Sequence, residues 1–211
     1  MLDHRHHPWI LICTLAGLVG AGLPGANAHA ANQPPQPATA VAIFAGGCFW
    51  CMEPPFDKLD GVRSTTSGYI GGDVDKPTYR QVSAGATGHA EAVKIVYDSS
   101  MVGYEQLLDV FWRNIDPTVA DRQFCDVGSQ YRTAVFATDP AQFAAAKASK
   151  ARIAALPRFA DATIFTEVVT ATTFYPAETE HQDYYKKNPL RYKFYRLSCG
   201  RDRRLAAVWD E

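Results

Sequence analysis

Apolar and polar positions along this chain keep two periods, and the switches between them mark its elements. Val41 to Ala45, "VAIFA", is an unbroken apolar run ended by Gly46-Gly47, the signature of a short buried strand. In "GHAEAVKIVYD" the period is two, so Glu91, Val93, Ile95 and Tyr97 share one strand face and Ala92, Lys94 and Val96 the other. "GYEQLLDVFWRNID" changes to the helical period, with Tyr104, Leu107, Leu108, Phe111 and Ile115 on one stripe and Asp116-Pro117 as its stop. "DPAQFAAAKASKARIAAL" is a second helix, capped by Asp139, with Pro140 at its first position and Gln142 where a capping box wants it.

The remaining segments fill in around these. "GVRSTTSGYIGG" reads as a strand running into a glycine-rich loop, and "QYRTAVFA" and "ATIFTEVVTA" as two more strands. Cys48 to Leu59 reads as a helix ended at Asp60-Gly61, distorted early because Pro54 and Pro55 each remove a backbone donor. "AETEHQDYYKKN" reads as a short helix stopped by Pro189, followed by an irregular tail with at most a helical turn or two in "RRLAAVWDE". The order β-α-β-β-α-β-α-β-α contains the split βαβ arrangement of a ferredoxin-like two-layer sandwich. The expected fold is therefore α+β, with a mixed sheet and a long irregular C-terminal tail.

The first residues do not share this patterning. "MLDHRHHPW" is charged, "ILICTLAGLVGAGL" is apolar and uncharged, and "ANAHA" supplies small residues at Ala28 and Ala30. These are the three parts of a secretory signal peptide, expected over residues 1–30. The apolar run is shorter than the ~20 residues that span a bilayer. An uncleaved anchor is the alternative, and Cys13, which follows Ile12, does not fit a lipid anchor. Residues 31–40, "ANQPPQPATA", read as a Pro-rich linker, and residues 41–211 as one domain. Export, to a bacterial periplasm, implies a thiol-oxidising compartment and no stable membrane insertion once the signal is removed.

Composition narrows the function classes. The chain has 211 residues, 47% hydrophobic, with a formal net charge of -1. That length supports a core without disulfide staples, and near-neutrality argues against nucleic-acid binding. Lys186, Lys187, Arg191, Lys193, Arg196, Arg201, Arg203 and Arg204 make the last segment basic, which reads as a solvated surface.

The domain's cysteines are Cys48, Cys51, Cys125 and Cys199. Two structural disulfides are one reading for an exported protein. Cys48 stands out by position, at a Gly-Gly turn between a strand and a helix start. Unpaired N–H groups and the helix dipole gather there and favour a thiolate. The bland reading is a small buried hydrophobe. Phe49 and Trp50 are core, or the walls of a pocket for a small apolar group beside a reactive thiol. Glu91, a carboxyl on an apolar strand face, should stay protonated near neutral pH and so could donate a proton, unless it lies at a wet strand end. Tyr79, Asp126 and Tyr131 lie in loop or strand-start segments, where packing is the simpler role. His89 reads as structural or exposed. Cys48-x-x-Cys51 is half a zinc pattern with no second half, so no metal is expected.

Taken in order, "GGCFW", "GYIGG", "PTYRQV", "TGHAEAVKIVYD", "YEQLLDVFWRNIDP", "QYRTA" and "AETEHQDYYKKNP" resemble the peptide methionine sulfoxide reductase A family, over Val41 to Pro189. The resemblance implies an α/β-roll and reduction of the S epimer of methionine sulfoxide, free or in oxidised proteins. It makes Cys48 the nucleophile, Glu91 the proton donor, Tyr79 and Tyr131 hydroxyl donors with Asp126 beside them, and Phe49 and Trp50 the methyl pocket. It implies no bound cofactor, with a thioredoxin-like protein as electron donor. Many members have Gly at Cys51, and the tail here lacks the family's glycine-rich resolving segment. Cys51, Cys199 and Cys125, in that order, are the candidates for the resolving thiol. An exported C-x-x-C thiol-disulfide oxidoreductase is the competing function.

Overall fold

A computed structural model describes residues 38–210. The expected signal segment and most of the expected linker lie outside the described residues. The fold opens with β1 (Thr39–Gly46), two residues ahead of the expected domain start. It continues with α1 (Phe49–Asp57), β2 (Val62–Ile70), α2 (Tyr79–Ser83), β3 (Ala90–Asp98) and α3 (Tyr104–Arg113). A small hairpin follows, β4 (Arg122–Gln123) with β5 (Asp126–Val127), then a 3₁₀ turn at Ser129–Tyr131 and β6 (Thr133–Ala137). α4 (Pro140–Ala154), β7 (Glu167–Thr170), β8 (Tyr175–Pro176), α5 (Tyr184–Lys187), α6 (Pro189–Ser198) and α7 (Arg201–Trp209) complete it.

The main sheet has the order β7-β6-β1-β3-β2-β8. Its neighbours are antiparallel except β6 with β7, so the sheet is mixed and the class is α+β, as expected. β1 lies between β3 and β6, which explains its unbroken apolar run: paired on both edges, it is covered on both faces. On one face Phe44, Val93, Ile95 and Tyr97 meet Phe56, Leu107, Phe111 and Trp112 of the helices in the principal core. Ala92 points to a smaller cluster on the opposite face, with Ile43, Ile70 and Phe136. The two-residue alternation of β3 is thus realised, and Glu91 lands on the helix-covered side.

Four expectations need correction. The tail is helical, not irregular: α6 and α7 occupy most of it. α6 buries no residue completely, so its sequence lacks the core-facing stripe by which a helix is read. The helix expected over 177–188 shrinks to α5, because Asp183 takes a left-handed conformation (φ 52°) that interrupts it. The strand expected over 162–171 pairs with β6 only as β7. The basic tail is not simply solvated. Arg201 is 1% exposed and donates to the carbonyls of Gly46 and Asn114 and to Met52 Sδ, its guanidinium 4.4 Å from the Phe124 ring centre. Arg204 pairs with the buried Asp116, and Arg196 with Asp202.

Candidate active site

The strand-to-helix turn is set by sterics. A Cβ on Gly46 would lie 2.6 Å from Met52 Sδ, and Gly47 sits at φ +79° with Gln123 where its side chain would be. Gln123 is buried and holds the Asp116 backbone at both ends, accepting from its N–H (2.9 Å) and donating to its carbonyl (2.7 Å). The two glycines therefore let the β4-β5 hairpin, which carries Asp126, close down beside Cys48.

Cys48 is the N-cap of α1 and offers no capping hydrogen bond. The orphan N–H of Phe49 is instead bound by Glu91 Oε2 at 3.1 Å. Glu91 is 2% exposed. Burial outweighs the Phe49 hydrogen bond and pushes its carboxyl up to about 8, so it holds its proton at neutral pH. Tyr79 enters at the start of α2, whose N-cap Thr78 forms a full capping box with Gln81. Tyr131 ends the 3₁₀ turn after β5. Burial raises both phenols, Tyr79 to about 12, so both stay hydroxyl donors.

These groups meet. Cys48, Phe49, Trp50, Tyr79, Glu91, Asp126 and Tyr131, with Tyr195 of α6, line one small cavity of about 70 Å³. Every sequence-predicted site residue except the three other cysteines reaches it. Larger clefts exist on the surface, but none of them contains Cys48 or Glu91.

Phe49 and Trp50 stand in an aromatic nest that sequence reasoning missed. Trp50 stacks on Tyr184 at 3.7 Å between ring centres and donates its indole N–H to His181 Nδ1 at 3.2 Å. Burial lowers His181, which keeps that nitrogen free to accept. Its ring lies 4.2 Å from that of Tyr79. Glu178 fixes the same wall, accepting from the Tyr79 N–H (2.7 Å) and the Tyr69 hydroxyl (2.8 Å). Tyr195 was missed too: it shares the cavity with Cys48, and its hydroxyl donates to Asp126 Oδ2 at 2.5 Å. His89, by contrast, is structural, buried and bonded to Gly72 N–H.

Cys48 and Cys51 are free and buried, and each thiol shifts the other's ionisation. Burial pushes the Cys48 thiol well up, with Cys51 adding to the effect. Cys48, aided by the charges of Arg201 and Arg196, holds Cys51 below the ordinary thiol value against its burial. Cys125 and Cys199 form a disulfide with each other, so the domain's cysteines make one bridge instead of the two of the all-structural reading. Among the described residues, one group of metal-ligand atoms converges within 4.8 Å, Cys125, Asp126 and Cys199, and its two sulfurs are spent in that disulfide.

A buried free thiol, Cys48, facing a protonated carboxyl and two phenols, with a second free thiol close behind it on an α+β scaffold, defines a thiol-based oxidoreductase whose substrate carries an oxygen to be protonated. Its particular family follows from comparison. Residues 40–211 match the family described as peptide methionine sulfoxide reductase. A peptide methionine sulfoxide reductase MsrA of Halalkalibacterium halodurans is 49% identical over 170 residues, 81% of this chain and 96% of that protein. MsrA 2 of Caulobacter vibrioides is 44% identical over 200 residues, covering 95% of this chain and 96% of its own. Among solved structures, methionine sulfoxide reductase A of Corynebacterium diphtheriae superposes with a TM-score of 0.69 at 36% identity, covering 74% of this chain and 78% of that one. The chain belongs to the peptide methionine sulfoxide reductase A family, and its activity is thiol-dependent reduction of methionine sulfoxide. The competing C-x-x-C disulfide oxidoreductase is not favoured: it leaves Glu91, Tyr79 and Tyr131, which converge with Cys48 on one cavity, without a role.

Proposed function

We propose that Cys48 is the nucleophile of this reductase and that the pocket around it selects the S epimer of methionine sulfoxide, free or in oxidised proteins. The observation that carries this reading is the convergence of Cys48, Glu91, Tyr79 and Tyr131 on one cavity. The Cys48 thiolate attacks the sulfoxide sulfur. Negative charge builds on the oxygen, which accepts hydrogen bonds from Tyr79 and Tyr131 and the proton from Glu91. Phe49 and Trp50 hold the methyl group. The oxygen then passes from the methionine sulfur to the Cys48 sulfur as the transient sulfur–sulfur bond breaks, so that methionine leaves with that bond's electron pair and Cys48, oxidised by two electrons, becomes a sulfenic acid.

Cys51 is the resolving thiol in this reading. It lies one helical turn from Cys48 and is held toward thiolate by Cys48 and the charges of Arg201 and Arg196, whereas Cys125 and Cys199 are already paired. Its attack on the Cys48 sulfur expels water and forms a Cys48–Cys51 disulfide. A thioredoxin-like protein then supplies two electrons by thiol exchange. No bound cofactor or metal enters these steps.

Two further readings belong to the same proposal. The antiparallel order β6-β1-β3-β2 supports a ferredoxin-like description of the sheet. Export to the periplasm after cleavage near Ala30, with the domain beginning close to Val41, is supported by the leader pattern and by an exposed disulfide, which suits an oxidising compartment. Among the described residues no helix is long and apolar enough to cross a membrane.

The test is a stereochemical assay on the two epimers, followed by mass mapping of the disulfide formed in one turnover. Turnover of the S epimer alone and a Cys48–Cys51 bridge are expected. Turnover of the R epimer, or a bridge from Cys48 to the tail, would overturn the corresponding part.

A further inference from the structure

Glu91 must stay protonated until it meets the sulfoxide oxygen, so it cannot accept the proton that Cys48 loses on becoming a thiolate. A different acceptor is needed. Tyr195 offers a route. It lines the same cavity as Cys48 and donates its hydroxyl to Asp126 Oδ2 at 2.5 Å, while its ring stands edge-on to Trp50 at 5.9 Å. Burial raises Asp126 above the usual carboxylate value, although the Tyr195 bond opposes this, and a raised carboxylate is a better proton acceptor.

The position of Tyr195 has an unusual support. α6 contributes no fully buried residue, and Leu190, Phe194 and Leu197 are 84%, 72% and 76% exposed. Apolar burial therefore does little to hold this helix in place. The Cys125–Cys199 disulfide fastens it instead. Cys125 directly precedes Asp126, and Cys199 lies one helical turn beyond Tyr195, its N–H bonded to the Tyr195 carbonyl at 2.9 Å. The bridge joins the neighbours of the two groups that share the short hydrogen bond.

We propose that Tyr195 is a catalytic residue that relays the Cys48 thiol proton to Asp126, and that the Cys125–Cys199 disulfide is the clasp that keeps it in place. The proton leaves Cys48 Sγ for the Tyr195 oxygen as the Tyr195 proton passes to Asp126 Oδ2. One S–H and one O–H bond break, and two O–H bonds form. No electrons are transferred, and the negative charge moves from Asp126 to Cys48. The thiolate then faces an O–H donor and a neutral carboxyl. This rests on Cys48 being the nucleophile.

Cys51 also shifts the ionisation of Cys48, so the experiment uses the full chain carrying Cys51→Ser. Two quantities are measured: iodoacetamide alkylation of Cys48 against pH, read by peptide mass, and the single-turnover rate on methionine S-sulfoxide. Tyr195→Phe should move the alkylation midpoint up by about one pH unit and slow the saturated single turnover about tenfold, leaving the half-saturating concentration unchanged. Asp126→Asn should do the same. Cys125→Ser/Cys199→Ser should reproduce the shift, and adding Tyr195→Phe to it should add nothing further. A Tyr195→Phe enzyme with the parent's alkylation profile and a rate within about twofold overturns the relay. A full additional shift on top of the double serine variant overturns the clasp. If Cys48→Ser retains turnover, the nucleophile assignment has failed, and that result is distinct because the alkylation profile is read without sulfoxide.

Discussion

The two cysteine pairs of this domain have opposite arrangements. Cys48 and Cys51 lie three residues apart in one helix start, buried and free of any disulfide, with Cys48 lining the pocket and Cys51 behind it. Cys125 and Cys199 are 74 residues apart, sit toward the surface and are joined. The contrast teaches that proximity in sequence is not what decides which thiols are bonded. On the proposed mechanism the buried pair does the chemistry, Cys48 facing a pocket that admits a small group and little else. The surface pair ties a poorly buried helix to the hairpin that carries Asp126.

That contrast can be broken in several ways. The largest effect is expected from Cys48→Ser, which should abolish sulfoxide reduction in a steady-state assay; measurable turnover with the serine enzyme would remove the buried pair's role. Glu91→Gln should come next, with kcat down by about 10²–10⁴-fold and substrate binding nearly unchanged. Cys51→Ser should still yield one methionine per enzyme in a quenched reaction but lose recycling by a thioredoxin-like reductant. Undiminished recycling would transfer resolution to the other pair.

The Cys125→Ser/Cys199→Ser variant tests the architectural half. Opening a closed loop of this length should cost roughly 4 kcal/mol, read as a melting temperature lower by about 10 °C. An unchanged melting temperature would mean that α6 is held by other contacts. The smallest effect concerns pH. Glu91 is raised to about 8 by burial, so its donor form and the reaction rate should decline as pH rises through that value. The sign for stability is the same. The folded state binds the proton more tightly than the unfolded chain, so Glu91's contribution is fully present below the ordinary carboxylate pKa and is lost as pH rises toward about 8. Glu91→Gln should flatten both profiles.

How much of this was legible in the sequence depended on whether a residue faced the core. β1, β3 and α3 carry clear periods because their apolar residues are buried, and Glu91 could be placed by counting along β3. The Gly-Gly junction placed Cys48 at a helix start, which the N-cap position of α1 matches. The tail gave no such signal. The apolar residues Leu190, Phe194 and Leu197 of α6 face outward, so its helical period pointed to no core, and Tyr195 looked like one aromatic among many. Arg201 was equally opaque. An arginine held by carbonyls, a thioether and an aromatic ring has no pattern to read before those partners are brought together.

Cys48 lies near the start of the fold, whereas Tyr195, Arg196 and Arg201, which close in around it and Cys51, come from the last helices. Translation runs in one direction. A nascent chain therefore carries its reactive sulfur uncovered until α6 and α7 have left the ribosome and folded back. During that interval the Cys48 sulfur is open to oxidation. The Cys125–Cys199 bridge ties the last arrivals to the hairpin beside Cys48, so the first and last parts of the fold to emerge are joined at one site.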